Sequence, residues 1–571
     1  MAPRGFWLVV LAIVVISLPS LGVGWMDDDA IQREILANHL GGAEYGPHEA
    51  YCFAGGPNHH APVWKTLWWT EPDAYTCFFR PLSSYTLAFD HWFFADNALG
   101  AHLHSFLWFS LTLAGVYALG RRLFDHRVAT IAIAIYGLAN FSGSTVAWVA
   151  SRHAIVTAAL SALAIALYVA GREDRAHRRA ALGLVVLVVS LLAGEGALGG
   201  FAFLVAYEVI RSRDALKTRV AYVAVAAMLA VVYLGFYSSL GYGANHGGYL
   251  DPLHAPGAFV AAVPGRLIAL CADAVLGAPS DYWLMPAARP LLVAFGLLGA
   301  LLVLAAGRLG AEAREDSQKR SLWFLLAGAL LSALPSAAGI LGGRVLMIPG
   351  IGLAIAFALI LHSAWERRRA LAGLRKAGAA VVIGLLSFGL FGLSPFFRVA
   401  TAREFSAIDQ AERELSASSL ADCREAEHFL VLGTNELMVG IYAPFLLSAQ
   451  VAGRAYHHIA HSDGDLTITR LDDRRLRVST TGGNAVAGVL FEDVRQRPFP
   501  AHERIPAGDA NILVEEASPA GVRTFVVETA RPVDDPANCW LRFDGKQLVR
   551  ADIPEIGASA AILYVLGPMS Y

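Results

Sequence analysis

Long apolar runs separated by short polar segments predict a membrane protein. The runs recur from the N-terminus to about residue 397, and most have the ~20 residues that a helix needs to cross a bilayer. The predicted spans lie at 6–25, 100–120, 128–143, 146–170, 180–197, 197–211, 219–240, 288–307, 321–340, 344–363 and 377–397. We therefore expect a polytopic α-helical membrane protein with about eleven spans.

One apolar segment does not fit this series. Residues 258–276 are apolar enough to enter the membrane, yet they contain Pro264, Arg266 and Asp273. Counting them as a span would invert the orientation of every later loop. The segment is therefore predicted to be a re-entrant or amphipathic helix on the outer face, with a true span as the alternative.

The basic residues of the loops predict the orientation. Lys and Arg cluster in every second loop, at 121–127, 172–179, 211–219, 308–320 and 367–376. Such clusters favour the cytoplasmic side of a membrane. The protein is therefore predicted to lie in a bacterial inner membrane, with its N-terminus in the cytoplasm and its C-terminus in the periplasm or outside the cell. The first run could instead be a signal peptide, but it is full-length and lacks an Ala-x-Ala site, so an uncleaved span is expected.

The pattern changes after residue 397. Alternating apolar and polar residues predict strands at 429–432, 466–469, 476–479 and 524–527, with turn-forming Gly and Asn between them. We therefore expect a membrane domain at 1–397, with residues 26–99 as its first outer loop. A soluble β-rich domain outside the cytoplasm is expected at 398–571.

Composition excludes one class of partner and informs the redox state. The chain is 56% hydrophobic and 16% charged, and it has no basic stripe with interleaved aromatic residues, so nucleic acid is not an expected partner. Cys52 and Cys77 share the first outer loop, and Cys423 and Cys539 bracket the β-rich domain. Each pair is predicted to form a disulfide outside the cytoplasm, which leaves Cys271 as a buried free thiol.

Three consecutive carboxylates follow the first span. Asp27, Asp28 and Asp29 stand where the membrane meets water, in reach of the head group of a lipid-carried substrate. They could act as a general base or hold a divalent cation through oxygen ligands. The alternative is that they simply end a transmembrane helix.

The first outer loop is too long for a simple connection, and it is rich in aromatic residues. Aromatic side chains stack on sugar rings, although they also form the belt at a membrane interface. Arg80 and Asp90 lie in this loop, and His102 and His104 begin the second span. An arginine at this depth can bind a phosphate with two parallel hydrogen bonds.

These motifs together resemble a known family. The features are the acidic residues after the first span, Trp-Trp-Thr at 68–70, Phe-Arg-Pro-Leu at 79–82, and the segments 146–152, 191–196 and 343–352. In this order they are similar to the GT-C glycosyltransferases, membrane enzymes that use polyprenyl-phosphate sugars. The chain is most similar to bacterial relatives of the tetratricopeptide-bearing protein O-mannosyltransferases. Glu195 lacks the family's preceding lysine, Arg344 lacks its preceding glutamate, and the tetratricopeptide repeats are absent.

The resemblance implies roles for the residues. It implies a base in the acidic triplet, where Asp28 belongs to both possible registers of the family's acidic pair. It implies that Arg80, Arg152 and Arg344 bind the lipid phosphate, with Asp90, His102, His153 and Glu195 as further substrate-binding candidates. For each arginine the alternative is a side chain that snorkels at the membrane edge. For Glu195 it is a structural ion pair, and for the histidines hydrogen bonding at the interface.

The sequence thus predicts a membrane glycosyltransferase that moves a sugar from a polyprenyl-phosphate carrier to an acceptor on the outer face. The sugar and the acceptor, which could be a protein, a glycan or a lipid, are left open. A transporter or flippase of lipid-linked glycans is one alternative, although such proteins usually contain related halves. A non-catalytic assembly factor whose β-rich domain binds a partner is the other.

Overall fold

The computed structural model describes residues 4–37, 46–54, 67–69, 75–245, 249–250, 252, 255–434, 436, 438–487, 499, 503–518 and 521–569. Its chain divides into two compact units. The first comprises Met1–Val23, Phe79–Leu240 and Leu250–Ser406, and the second Gly24–Phe78, Gly241–Tyr249 and Ala407–Tyr571. The predicted first outer loop is thus divided, because residues 24–78 group with the C-terminal region. The predicted domain boundary at residue 397 falls within the helix Ser394–Ser416.

The first unit is helical. Its helices are Arg4–Ser17, Pro81–Phe94, Ala98–Leu123, His126–Leu138, Asn140–Ala147, Arg152–Glu173, His177–Leu191, Leu198–Ala206, Leu216–Ser239, Pro256–Leu276, Arg289–Leu309, Asp316–Ser336, Pro349–Arg369, Gly373–Phe388 and the start of Ser394–Ser416. Short π-helical turns follow at Tyr207–Arg211 and Gly389–Leu393.

Local sequence explains several helix boundaries and contacts. The Asp125 side chain caps His126–Leu138 by accepting a hydrogen bond from the Val128 N–H at 2.9 Å. Small residues allow close packing, since a Cβ on Gly115 would collide with Ala162 of the neighbouring helix. Other apolar side chains point outward, such as Val231 and Val232, which are 67% and 63% exposed. Outward apolar side chains suit contact with lipid.

By length and composition, eight helices among the described residues can cross a membrane, or nine if the pair bent by 50° at Ala139 is one span. The predicted spans at 180–197, 197–211 and 321–340 coincide with helices that are shorter or more polar than these. The helix Pro256–Leu276 is among the eight, so its length and composition suit a full span as well as the predicted re-entrant segment. The chain has the helices of a multi-pass membrane protein.

The second unit is rich in strands. They are β1 Cys52–Ala54, β2 Tyr75–Cys77, β3 Gly243–Asn245, β4 His428–Thr434, β5 Ala455–Ser462, β6 Leu466–Arg470, β7 Arg475–Thr480, β8 Arg504–Ala507, β9 Ala510–Ser518, β10 Gly521–Thr529, β11 Asn538–Phe543, β12 Leu548–Arg550 and β13 Ser559–Ile562. Among the described residues they form sheets in the orders β1-β2-β3, β13-β6-β7-β10-β9-β8 and β12-β11-β4-β5. The predicted fold class, a helical membrane region with a β-rich C-terminal region, is confirmed.

The core of this second unit includes part of the first outer loop. Trp68 and Trp69 are buried with Ile459 and Phe525, and the Trp68 indole N–H donates to the Ile459 carbonyl at 2.9 Å. Sequence periodicity predicted the four strand segments, which are β4, β6, β7 and β10. It did not predict that the Trp-Trp pair packs against them.

Both predicted disulfides are confirmed. Cys52 bonds to Cys77 and joins β1 to β2, while Cys423 bonds to Cys539 at the start of β11. Cys271 is a free thiol and half-buried. The second unit also contains the helices Asp28–Ala37, Ala443–Leu446 and Ser448–Val451, the end of Ser394–Ser416, and a π-helical turn at Met438–Tyr442.

Candidate functional site

The acidic triplet begins a new helix. The first apolar helix ends in a 3₁₀ turn at Leu18–Gly22, and the helix Asp28–Ala37 starts within the triplet. The Asp29 carboxylate accepts a hydrogen bond from the Met26 N–H at 3.1 Å. Carboxylates at this position stabilise the positive end of the helix dipole. The acids therefore do more than end the preceding apolar helix.

Asp27 has an unusual backbone conformation. Its φ is +53°, a left-handed value that costs a residue with a Cβ roughly 1–2 kcal/mol. The Asp27 N–H donates to Glu412 Oε1 at 2.9 Å, and the two side chains are buried, at 7% and 2% exposure. Among the described residues, Asp27 Oδ1 and Glu412 Oε2 have no hydrogen-bond partner. Residues in this backbone region persist only where surrounding contacts hold them.

Asp27 and Asp28 differ in how deeply their side chains are buried. Burial raises the pKa of the Asp27 carboxyl well above its ordinary value, and the Glu412 carboxylate raises that pKa further. Asp28 is half-buried and accepts a hydrogen bond from the Tyr442 hydroxyl at 3.1 Å. Burial and the Asp28 charge raise the Tyr442 pKa, which keeps this hydroxyl protonated as a donor. Asp28 therefore differs from Asp27 in its partial exposure and in the tyrosine hydroxyl that it accepts from.

A cation at the triplet has no support in this geometry. Among the described residues, no group of three or more His, Cys, Asp or Glu side chains could hold a metal ion. Protein groups donate hydrogen bonds to Asp28 and Asp29.

A second group of predicted residues lies in the helical unit, around Arg80 and Glu195. The Arg80 Nε donates to Glu195 Oε2 at 2.9 Å, and a second guanidinium nitrogen contacts Glu195 Oε1. The two segments are tied together, since the Leu82 N–H donates to the Leu192 carbonyl at 2.8 Å and the Ser83 hydroxyl to the Ala193 carbonyl at 2.7 Å. Arg80 is thereby held at the start of the helix Pro81–Phe94.

Gly194 permits the close approach within this group. A Cβ at Gly194 would lie 3.0 Å from Thr157 Oγ1, 3.8 Å from the His153 ring and 3.9 Å from Arg80 Nε. Arg80, His153 and Glu195 thus surround one short segment of backbone. This glycine stands where the resembling family carries a lysine.

Arg344 belongs to the same group. It lies 5.6 Å from the centre of the Trp148 ring and acts electrostatically on Glu195, His153 and Asp281. Asp281 is a residue that the sequence did not suggest. Burial raises the pKa of Asp281, and Arg344 opposes this shift. The structure therefore brings together Arg80, His153, Glu195 and Arg344 of the predicted residues, with Asp281 in addition.

The remaining predicted residues form a buried node around Arg152. Its guanidinium is 0% exposed and forms an ion pair with Asp90. It also donates to Ser105 Oγ at 3.0 Å and to the Ala101 carbonyl at 2.7 Å. His104 Nδ1 lies 2.7 Å from Asp90 Oδ1. Arg152 is thus enclosed by protein groups.

His102 is fully buried within the helix Ala98–Leu123. The acidic triplet and the group around Arg80 belong to different compact units. Sequence reasoning missed Glu412 and Tyr442, which lie 385 and 414 residues from Asp27 and Asp28 along the chain. Neither stands in a motif that would have pointed to the triplet.

The chain is similar to two solved structures of glycosyltransferases. The first is the apo oligosaccharyltransferase of Archaeoglobus fulgidus, with 13% identity, a TM-score of 0.43, and coverage of 78% of this chain and 64% of that chain. The chain therefore spans slightly less than two thirds of the archaeal protein. The second is ArnT of Cupriavidus metallidurans bound to undecaprenyl phosphate, with 16% identity, a TM-score of 0.41, and coverage of 78% and 85%.

Comparison with sequences is more restricted. No curated protein matches the chain. A family model, dolichyl-phosphate-mannose-protein mannosyltransferase, matches residues 79–236. This segment contains Arg80, Asp90, His102, Arg152, His153 and Glu195. The resemblance to glycosyltransferases that use polyprenyl-phosphate sugars is thereby confirmed over the segment 79–236, which is similar to the dolichyl-phosphate-mannose-protein mannosyltransferases.

Proposed function

We propose that the chain is a membrane glycosyltransferase that transfers a sugar from a polyprenyl-phosphate carrier to an acceptor on the outer face. The observation that carries the proposal is the match of residues 79–236 to the mannosyltransferase family model. The sugar is proposed to be a hexose, and the acceptor a protein, glycan or lipid. The β-rich region is proposed to lie in the periplasm of a bacterium.

The proposed reaction inverts the anomeric carbon. Asp28 takes the proton of the acceptor hydroxyl, and the acceptor oxygen attacks the anomeric carbon of the sugar. The bond from that carbon to the phosphate oxygen breaks, and polyprenyl phosphate leaves with its electron pair. A positioned general base contributes roughly 10²–10⁴-fold to such a step.

Arg80 and Arg344 are proposed to bind the phosphate of the donor. A guanidinium can hold a phosphate with two parallel hydrogen bonds, and it neutralises the charge that develops on the leaving group. The contact between Arg80 and Glu195 supports this role because it fixes the direction of the guanidinium. The enclosure of Arg152 by Asp90, Ser105 and Ala101 favours a structural role for that arginine instead.

The test is transfer by the purified chain in lipid vesicles that contain undecaprenyl-phosphate hexoses, with release of undecaprenyl phosphate as the measurement. Asp28→Asn should lower turnover by roughly 10²–10⁴-fold and leave donor binding largely intact, because it removes the charge and the basicity but keeps the size of the side chain and most of its hydrogen bonding. Arg80→Ala and Arg344→Ala should weaken donor binding. Asp96→Asn, at an exposed position before the second span, is the matched control. Full activity of Asp28→Asn would contradict the proposed base.

The proposed orientation has its own test. A reporter fused after Tyr571 should report the periplasm, and one fused near Arg175 the cytoplasm, because the basic clusters favour the cytoplasmic side. Fusions on the two sides of Pro256–Leu276 should both report the periplasm. Opposite results for those two fusions would make this helix a full span.

A further inference from the structure

The helix that carries the acidic triplet is held by polar contacts from the C-terminal part of its own unit. The Asp27 N–H donates to Glu412 and the Tyr442 hydroxyl donates to Asp28. Farther along, the Ser448 hydroxyl donates to Glu34 at 2.9 Å. The contacts occur at both ends of the helix Asp28–Ala37. Together they fix its position and its rotation about its axis.

The backbone just before the helix Asp28–Ala37 is also closely enclosed. A Cβ on Gly24 would collide with the side chains of Asp409 and Arg413, which lie one turn apart on the helix that carries Glu412. Asp409 and Arg413 form an ion pair at 3.0 Å. The turn between Gly24 and Asp28 therefore follows the surface of this helix.

Asp27 needs such support. Its left-handed backbone is unfavourable for a residue with a Cβ, and the hydrogen bond from its N–H to Glu412 stabilises that conformation. A different φ at Asp27 would redirect the first turn of the helix and with it the Asp28 carboxylate. Glu412 thus acts on Asp28 through the backbone, whereas Tyr442 acts on it directly.

Tyr442 closes a short π-helical turn at Met438–Tyr442. Such turns are rare and often stand at functional sites. The wider turn places the Tyr442 hydroxyl 3.1 Å from Asp28 Oδ1. A hydrogen bond to one carboxylate oxygen restricts rotation of the carboxylate group and so determines where its second oxygen points.

We propose that Glu412 and Tyr442 are positioning residues for Asp28, so that the C-terminal region completes the acidic part of the catalytic machinery. The inference rests on the proposed function for the role of Asp28. Its structural part, that Glu412 holds the triplet, can be tested without any activity.

Hydrogen–deuterium exchange of the full chain in detergent tests that part. Glu412→Ala removes the acceptor of the Asp27 N–H, so exchange of peptides from 24–37 should accelerate on the order of tenfold, with peptides from β9 and β10 unchanged. Glu412→Gln keeps an acceptor oxygen and should restore protection. Glu414→Gln, two residues along the same helix, is the matched control. Unchanged exchange at 24–37 in Glu412→Ala would overturn the inference.

Kinetics test the effect on Asp28. Glu412→Ala should lower kcat by up to about 10²-fold, the loss expected from a misplaced catalytic group, with a smaller change in the KM for the donor. Glu412→Gln should recover most of this loss. Tyr442→Phe should lower kcat by about tenfold, whereas Tyr456→Phe, which alters another buried tyrosine of the unit, should not. If Glu412→Ala unfolds the whole unit, Tyr442→Phe decides, because it keeps the ring.

The two proposals can fail separately. A wild-type chain that transfers no sugar, together with faster exchange at 24–37 in Glu412→Ala, refutes the proposed function but retains Glu412 as the residue that holds the triplet. An active wild-type chain with full kcat in Glu412→Ala and Tyr442→Phe refutes the positioning role alone.

Discussion

Two nitrogens of the Arg80 guanidinium contact the two oxygens of the Glu195 carboxylate, and these contacts fix the orientation of the guanidinium. The Arg80 side chain is 8% exposed and that of Glu195 is 34% exposed. The sequence left open whether Glu195 acts on substrate or forms a structural ion pair. In the structure Glu195 forms an ion pair with Arg80.

Glu195→Ala should destabilise the helical unit by roughly 1–3 kcal/mol, because it leaves the mostly buried Arg80 without its carboxylate. It should also weaken donor binding, since the guanidinium is no longer oriented. The double variant Arg80→Ala/Glu195→Ala should recover stability but not donor binding. Thermal unfolding and donor titration of the wild type and the two variants check this. Recovery of donor binding in the double variant would contradict a phosphate-binding Arg80.

Arg152→Lys should show that Arg152 is structural. Lysine keeps the charge but cannot reproduce donation to Asp90, Ser105 and Ala101 at once. A buried acceptor that loses its donor costs roughly 1–3 kcal/mol, so the variant should unfold at a clearly lower temperature. Donor affinity of the folded fraction should stay unchanged. Arg127→Lys, in a predicted cytoplasmic loop, is the control. Weakened donor binding in Arg152→Lys would indicate instead that Arg152 binds the phosphate.

The disulfides should differ in what they contribute. Cys423 and Cys539 are separated by 116 residues and Cys52 and Cys77 by 25. Cross-links across longer loops remove more entropy from the unfolded chain, about 4.8 kcal/mol against about 3.5 kcal/mol here. Proteolysis should therefore cleave Cys423→Ala/Cys539→Ala faster than Cys52→Ala/Cys77→Ala. Cys271→Ala should be cleaved by protease as slowly as wild type. Equal rates of proteolysis for the two double variants would contradict the dependence on loop length.

Much of the fold could be predicted because it depends on local periodicity. Apolar runs at helical length and alternation at 466–469 or 524–527 are visible in the sequence, and the two cysteine pairs followed from the predicted loop and domain that contain them. The partners of the acidic triplet could not be predicted. Glu412 and Tyr442 meet Asp27 and Asp28 only through tertiary folding, and neither belongs to a motif. Similarly, the resemblance pointed to Arg152 as a phosphate ligand and to Asp90 as a substrate-binding residue, and only the fold reveals their mutual ion pair.

The last prediction concerns the buried histidines of the β-rich unit. His458 and His461 lie against Trp69, with ring centres 5.5 Å and 6.2 Å from the indole. Burial lowers the pKa of His458 to about 4, and burial together with His458 lowers the pKa of His461 well below its usual value. Both rings are therefore neutral in the folded unit at neutral pH.

The sign of the pH effect follows from proton binding. An unfolded histidine takes up a proton below about pH 6.5, whereas folded His458 resists this until about pH 4. Between these values the unfolded state binds more protons, so stability falls as pH falls, by about 2 kcal/mol for His458 near pH 5. The contact of Trp69 with the strands should weaken over the same range.

His458→Gln removes this titration. The unfolding temperature of the full chain can be measured by tryptophan fluorescence between pH 7 and pH 5. As the pH is lowered, this temperature should fall less steeply for His458→Gln than for wild type. His177→Gln, which changes an exposed histidine of the helical unit, should keep the wild-type slope. Carboxylates such as Asp27 titrate equally in all three proteins, so their contribution cancels in the difference. Parallel slopes for wild type and His458→Gln would show that His458 is not held neutral by burial.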